Sequence, residues 1–213
     1  MKKIAVVMTA MAAVAAQADV LISEDFNTRA VTPFFESIPD AATIGAYEVD
    51  TSASYLSVVE GGSGASPGSN IFGSDPNRYL RVADYSDTDD GTKAWWRIAD
   101  SEDYATEGVM SMDFYVVDYE TGALWMKAEH WGGTDAVAIR HYNGTLATYT
   151  SSGYFAFDNA CAEGAAHSLV INFDVATQKF TGTLDGAALT SGGGTITEFD
   201  FRNLVGGVHG VQV

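Results

Sequence analysis

Nine side chains in the middle of the chain, Trp95, Arg97, Asp113, Tyr115, Trp125, Lys127, Glu129, Arg140 and Tyr142, occupy alternate positions in stretches whose intervening residues are mostly apolar. Successive side chains of a strand point to opposite faces, so these nine are expected on outer faces. A sheet face that mixes rings with charged groups suits a sugar. Its C–H faces stack on aromatic rings, while its hydroxyls bond to carboxylates, amides and guanidinium groups. The same residues would also serve an ordinary outer surface built from cross-strand aromatic and ion pairs. The candidate ligand-binding set is Trp95, Arg97, Asp113, Tyr115, Trp125, Lys127, Glu129 and Arg140.

Other chemistries find less support. The four histidines, His130, His141, His167 and His209, show neither H-x-H nor H-E-x-x-H spacing, so zinc ligation is not expected. His130 sits between Glu129 and Trp131 at a strand end, a place where functional side chains accumulate. The glycine-rich stretch 61–68 lacks the lysine and following helix of a phosphate-binding loop. Calcium takes six to eight oxygen ligands, and Asp84, Asp87, Asp89 and Asp90 form one oxygen-rich loop. It is not an EF-hand: with Gly91 as the sixth position, the first and third positions are Ser86 and Thr88. The alternative is a solvated acidic loop.

Short alternating strands must hold these groups. They are expected at 47–49, 55–59, 78–83, 93–99, 107–118, 122–131, 136–142, 146–150, 154–157, 198–204 and 207–213. Met110, Met112, Phe114, Leu169, Ile171 and Phe173 have the spacing of an interior. Asn143-Gly144 and Asp185-Gly186 are tight hairpin turns. Strands at regular spacing, with almost no helical period and no fixed repeat, predict one all-β, two-sheet antiparallel sandwich of the jelly-roll kind.

The stretch from Ala166 to Leu189 is the most legible. Leu169, Ile171, Phe173 and Val175 alternate with Ser168, Val170, Asn172 and Asp174, and after a polar connection Phe180, Gly182 and Leu184 repeat the pattern. An apolar strand ending Phe173-Asp174, a polar turn, Lys179-Phe180, then Leu184-Asp185-Gly186 resembles the hairpin near the end of concanavalin A-like (laminin G-like) jelly-roll domains. The resemblance implies that the strand within Asp19–Phe26 lies beside the final one, Gly207–Val213. It also implies glycan binding on the concave sheet face. Calcium is implied between Glu24 and an acidic residue near the last strand, but this chain has Val208-His209-Gly210-Val211 where an I-D-D-V type of sequence is usual. Hydrolases of this fold class carry an E-x-D-x-x-E strand, and related alginate lyases an arginine-rich strand, Q-[IV]-H and Y-x-K-x-G. None of these is present.

Lys2-Lys3, the apolar run Ile4–Ala16 and the Ala16-Gln17-Ala18 site read as a removable secretory signal over residues 1–18. The run is too short to span a bilayer, so no membrane insertion is expected. Residues 19–213 then form a single domain, secreted to the periplasm or outside the cell. The chain has formal charge −17. The signal carries two of the 11 basic residues and no acid, leaving 9 against 28 and a charge of −19. Such a field repels nucleic acid and polyanions and favours a neutral polysaccharide, an acidic one being repelled except where Arg97, Lys127 and Arg140 cluster. Cys161 is the single cysteine, expected to be a small buried hydrophobe. A non-catalytic, monomeric carbohydrate-binding domain is the leading expectation. A polysaccharide-degrading enzyme of the same fold and a structural or adhesion module are the alternatives.

Overall fold

The computed structural model describes residues 4–7, 49–50, 54–60, 72, 78–84, 93–97, 104–116 and 123–213. Every regular element among them is a strand. In chain order they are β1 (Ile4–Val7), β2 (Val49–Asp50), β3 (Ser54–Glu60), β4 (Arg78–Asp84), β5 (Lys93–Arg97), β6 (Glu107–Val116), β7 (Leu124–His130) and β8 (Thr134–Tyr142). There follow β9 (Thr145–Thr150), β10 (Gly153–Ala160), β11 (Ala166–Asp174), β12 (Lys179–Leu184), β13 (Ala187–Ala188), β14 (Phe199–Asp200) and β15 (Gly210–Gln212).

Two antiparallel sheets pack as a sandwich. One runs β13-β12-β11-β6-β1-β4-β3, with β14 also on β12, and the other runs β10-β9-β8-β7-β15-β5-β2. The expected turns form as the residue types dictate. Asn143 and Gly144 take φ of 48° and 68°, and Asp185 and Gly186 take 52° and 80°. Two successive positive φ values match the right-handed twist of the flanking strands, and Asn-Gly and Asp-Gly reach that region at least cost.

The predicted interior is the interior. Met110, Met112, Phe114, Leu169, Ile171 and Phe173 are buried, and they pack with Trp96, Met126, Ile139 and Phe180 in one continuous core. β6 and β11 share nine register pairs, among them Leu169 opposite Met112 and Ile171 opposite Met110. Cys161 is buried in the same core, where desolvation pushes its thiol up to about 12, beyond reach of thiolate chemistry at neutral pH.

Three expectations about position need comment. The last strand, β15, pairs with β5 and β7, while residues 19–26 lie outside the described set. Asp87, Asp89 and Asp90 of the acidic loop and Glu24 also lie outside it, and Asp84 ends β4. Ile4–Val7, within the segment read as a signal, pairs on one side with Leu80–Val82 of β4 and on the other with Asp113–Val116 of β6.

Candidate functional site

The outer face of the seven-stranded sheet collects most of the candidate residues. Alternation sends Trp96, Met126 and Ile139 inward, which turns Trp95 and Arg97 of β5, Trp125 and Lys127 of β7 and Arg140 of β8 outward. Register then sets their neighbours. Trp125 lies opposite Arg140, and Gln212 of β15 lies opposite both Trp95 and Lys127.

Trp125 is the centre of this face. The Tyr149 ring lies 5.6 Å from it and Tyr154 a further 5.0 Å from Tyr149. Lys127, Arg140 and Arg202 stand 5.8, 5.7 and 5.9 Å from the indole centroid. Arg140 also lies 4.6 Å over Tyr142 and donates from Nη1 to the Tyr149 hydroxyl at 3.1 Å. Ala138, Ala147 and Ala156 sit on the same face, so small side chains floor the space between the rings. Arg97 packs 5.3 Å from the Trp95 ring at the far end of the face.

One carboxylate serves two of the cations. Asp135 holds Arg202 Nη1 at 2.6 Å and Lys127 Nζ at 3.3 Å, and its backbone oxygen accepts from Asn203 Nδ2 at 2.8 Å. Glu129, paired with Asp135 across a β-bulge, is only 5% exposed. Burial pushes its carboxyl up to about 6; Lys127 and Arg97 oppose the rise, and the neighbouring Asp135 adds to it. Gly210 separates Glu129 from Arg97 in the register. A Cβ there would collide with the Trp96 carbonyl oxygen and crowd Arg97, so glycine lets β15 approach β5 closely within the sheet.

Asp113 and Tyr115 are placed elsewhere, which corrects their grouping with Trp95 and Trp125. They do turn away from the core, but on β6, in the eight-stranded sheet, so the whole sandwich separates them from Trp125. The cause is that alternation assigns a residue to a face of its own strand and says nothing about the sheet to which that strand belongs. Conversely, Tyr149, Tyr154, Gln212, Asp135 and Arg202 join the site unforeseen. Tyr149 and Gln212 carry the same alternation signal, between Thr148 and Thr150 and between Val211 and Val213, whereas Arg202 lies in a segment with no period.

The histidines serve the fold. His141 Nε2 donates to the Cys161 carbonyl at 2.9 Å, and burial lowers its pKa. His130 Nδ1 donates to the Gly207 carbonyl at 2.9 Å, and His209 Nδ1 accepts from the Trp131 backbone N–H at 3.2 Å. These two rings, 4.7 Å apart, tie the end of β7 to the approach of β15. His167 bonds Asp185 at 2.7 Å beside the second hairpin turn. Among the described residues no group of three or more His, Cys, Asp or Glu side chains is placed to hold a metal ion.

No protein-family model and no curated protein matches the chain. Among solved structures it is similar to a sialidase, with a TM-score of 0.58 and 12% identity over 78% of this chain. The similarity spans 13% of the sialidase's length. At that identity it shows the β-sandwich fold alone.

Proposed function

We propose that this chain is an exported, monomeric, non-catalytic carbohydrate-binding β-sandwich whose ligand lies on the outer face of the seven-stranded sheet. The observation that carries the reading is the Trp125 platform, with Tyr149 and Tyr154 continuing the aromatic surface and Lys127, Arg140 and Arg202 as polar partners. Rings supply stacking area for sugar C–H groups, and the flanking cations donate to hydroxyls. The similarity to part of a protein named for acting on glycans supports the same direction.

Replacing Trp125 with Ala is expected to cut retention on the cognate polysaccharide by about tenfold or more, since an aromatic stacking contact contributes on the order of 1–3 kcal/mol. The melting temperature should fall little, because Trp125 is only half-buried and faces away from the core. Affinity electrophoresis across a polysaccharide panel, with a thermal melt of the same samples, checks both. Unchanged retention would remove the platform from the function, and unfolding would make Trp125 a fold residue.

A glycoside hydrolase reading draws on Glu129, an acid raised to about 6 beside a second carboxylate. Hydrolysis needs the two carboxyls about 5–10 Å apart with the scissile bond between them. Here Glu129 lies against Asp135, both are buried, and Asp135 is held by Lys127 and Arg202. That leaves no space for a sugar between the two acids, so binding without hydrolysis is the better fit. A reducing-sugar assay on the retained polymer checks it.

Calcium is proposed for the acidic loop containing Asp84, Asp87, Asp89 and Asp90, with Glu24 marking a second, separate candidate site. Clustered carboxylates repel one another unless a cation screens them. Calcium at 100 times its dissociation constant is therefore expected to add about 2.7 kcal/mol of stability. Equal melting temperatures in millimolar calcium and in chelator would remove the metal.

A further inference from the structure

The charge of the platform is opposite to that of the chain. Overall the formal charge is −17, which by itself favours a neutral ligand. Yet three cations surround the Trp125 indole, and among the described residues two carboxylates lie near them: Asp135, paired with Lys127 and Arg202, and the buried Glu129, which acts on Lys127. Among the described residues Arg140 is paired with no carboxylate: Nη1 donates to the Tyr149 hydroxyl, and Nε is buried with no hydrogen-bond acceptor. Arg202, with its side chain 40% exposed, stands at the border of the aromatic surface.

Holding like charges together beside an aromatic ring is unfavourable unless something compensates them. Cation–π attraction to one indole is a small compensation and is shared here among three. Two arginines and a lysine around a ring, one of the arginines in no ion pair among the described residues, form an anion-recognition arrangement. The planar guanidinium fork matches a carboxylate or sulfate in two-point contact, and the ring beside it takes the sugar's apolar face.

We propose that the platform's ligand is an anionic saccharide, a polymer whose sugars carry carboxylate or sulfate groups. Its charged substituent pairs with Arg140 and Arg202 while its ring stacks on Trp125 and Tyr149. The proposal rests on the carbohydrate-binding reading above and names the ligand class, replacing the neutral polysaccharide expected from net charge. Long-range repulsion from the rest of the chain is screened within about 8 Å at physiological salt, so the local cations decide at contact distance.

The test uses the full chain in affinity electrophoresis against polygalacturonate, a sulfated galactan and a neutral β-glucan. Arg140→Gln, Arg202→Gln and the double variant are run beside the parent protein, each with a thermal melt. The expected result is retention by one or both anionic polymers. It should weaken about tenfold or more in the double variant, recover in Arg140→Lys relative to Arg140→Gln, and fall as salt rises. The two anionic polymers distinguish carboxylate from sulfate. Retention by the β-glucan alone, or anionic retention unchanged in a folded double variant, would overturn the anionic ligand and leave carbohydrate binding standing. Retention by none of the three would overturn the anionic ligand as well. A wider neutral glycan array then decides the broader reading separately. Should the double variant fail to fold, the same polymers with Arg140→Lys and the salt series give the decision, because uncharged stacking is insensitive to salt.

Discussion

Truncating Phe199 to Ala is expected to destabilise the protein by about 3–5 kcal/mol, the range for emptying a buried aromatic site. Its ring lies 5.0 Å from Phe157 and 6.0 Å from Phe155 on β10, in the seven-stranded sheet, and 5.5 Å from Phe180 on β12, in the eight-stranded sheet. One side chain thus fastens the two sheets along a shared edge. A domain of this kind is stable by only about 5–15 kcal/mol in total, so the variant should melt far earlier. Phe199→Leu should recover more than half of the loss, since it refills most of the volume. Denaturant melts check both, and a cost below about 1 kcal/mol for the alanine variant would show that the edge is not a fastening point.

Glu129→Gln is expected to stabilise the protein at pH 7.5 by about 2 kcal/mol and to change little at pH 4. Burial raises the carboxyl from 4.5 to about 6, and each pKa unit corresponds to 1.36 kcal/mol. The folded state therefore binds the proton more tightly than the unfolded state. Between about pH 4.5 and 6 it carries more protons, so this group's contribution falls as pH rises through that window and stays low above it. Glutamine keeps the shape and removes the charge, and with it the penalty. Stability curves of both proteins at pH 4, 6 and 7.5 check this. Parallel curves would mean that Glu129 is solvated or that its neighbours move to accept its charge.

How far the sequence shows these features depends on whether a property is local. Period two along Met110-Met112-Phe114 and Leu169-Ile171-Phe173 sorts inside from outside because one residue's direction follows from the next. Asn143-Gly144 and Asp185-Gly186 declare their turns through conformational preference alone. Sheet membership is different. β6 and β7 are consecutive strands, yet they belong to opposite sheets, so Asp113 and Tyr115 could share an alternation with Trp125 and still end up across the sandwich from it. Glu129 shows a second limit: alternation turns it outward, but the extra residue Ala136 in β8 brings Asp135 opposite it, and with Lys127 and Arg97 nearby Glu129 is covered on that face and not left in solvent. Arg202 shows a third. It reaches the platform because its backbone N–H bonds Ala136 O at 2.8 Å and its side chain grips Asp135, a long-range placement that no local pattern encodes.

The division of charge also bears on how the molecule meets a large partner. Arg97, Lys127, Arg140 and Arg202 are four of the chain's 11 basic residues, gathered on or over one sheet face of a strongly acidic chain. On that face the four cations make a local patch of positive potential. For the anionic polymer proposed above, such a patch would favour encounters made with this face forward. The proposed ligand's rate of capture would then depend more steeply on ionic strength than its rate of release, which stacking on Trp125 and Tyr149 would set.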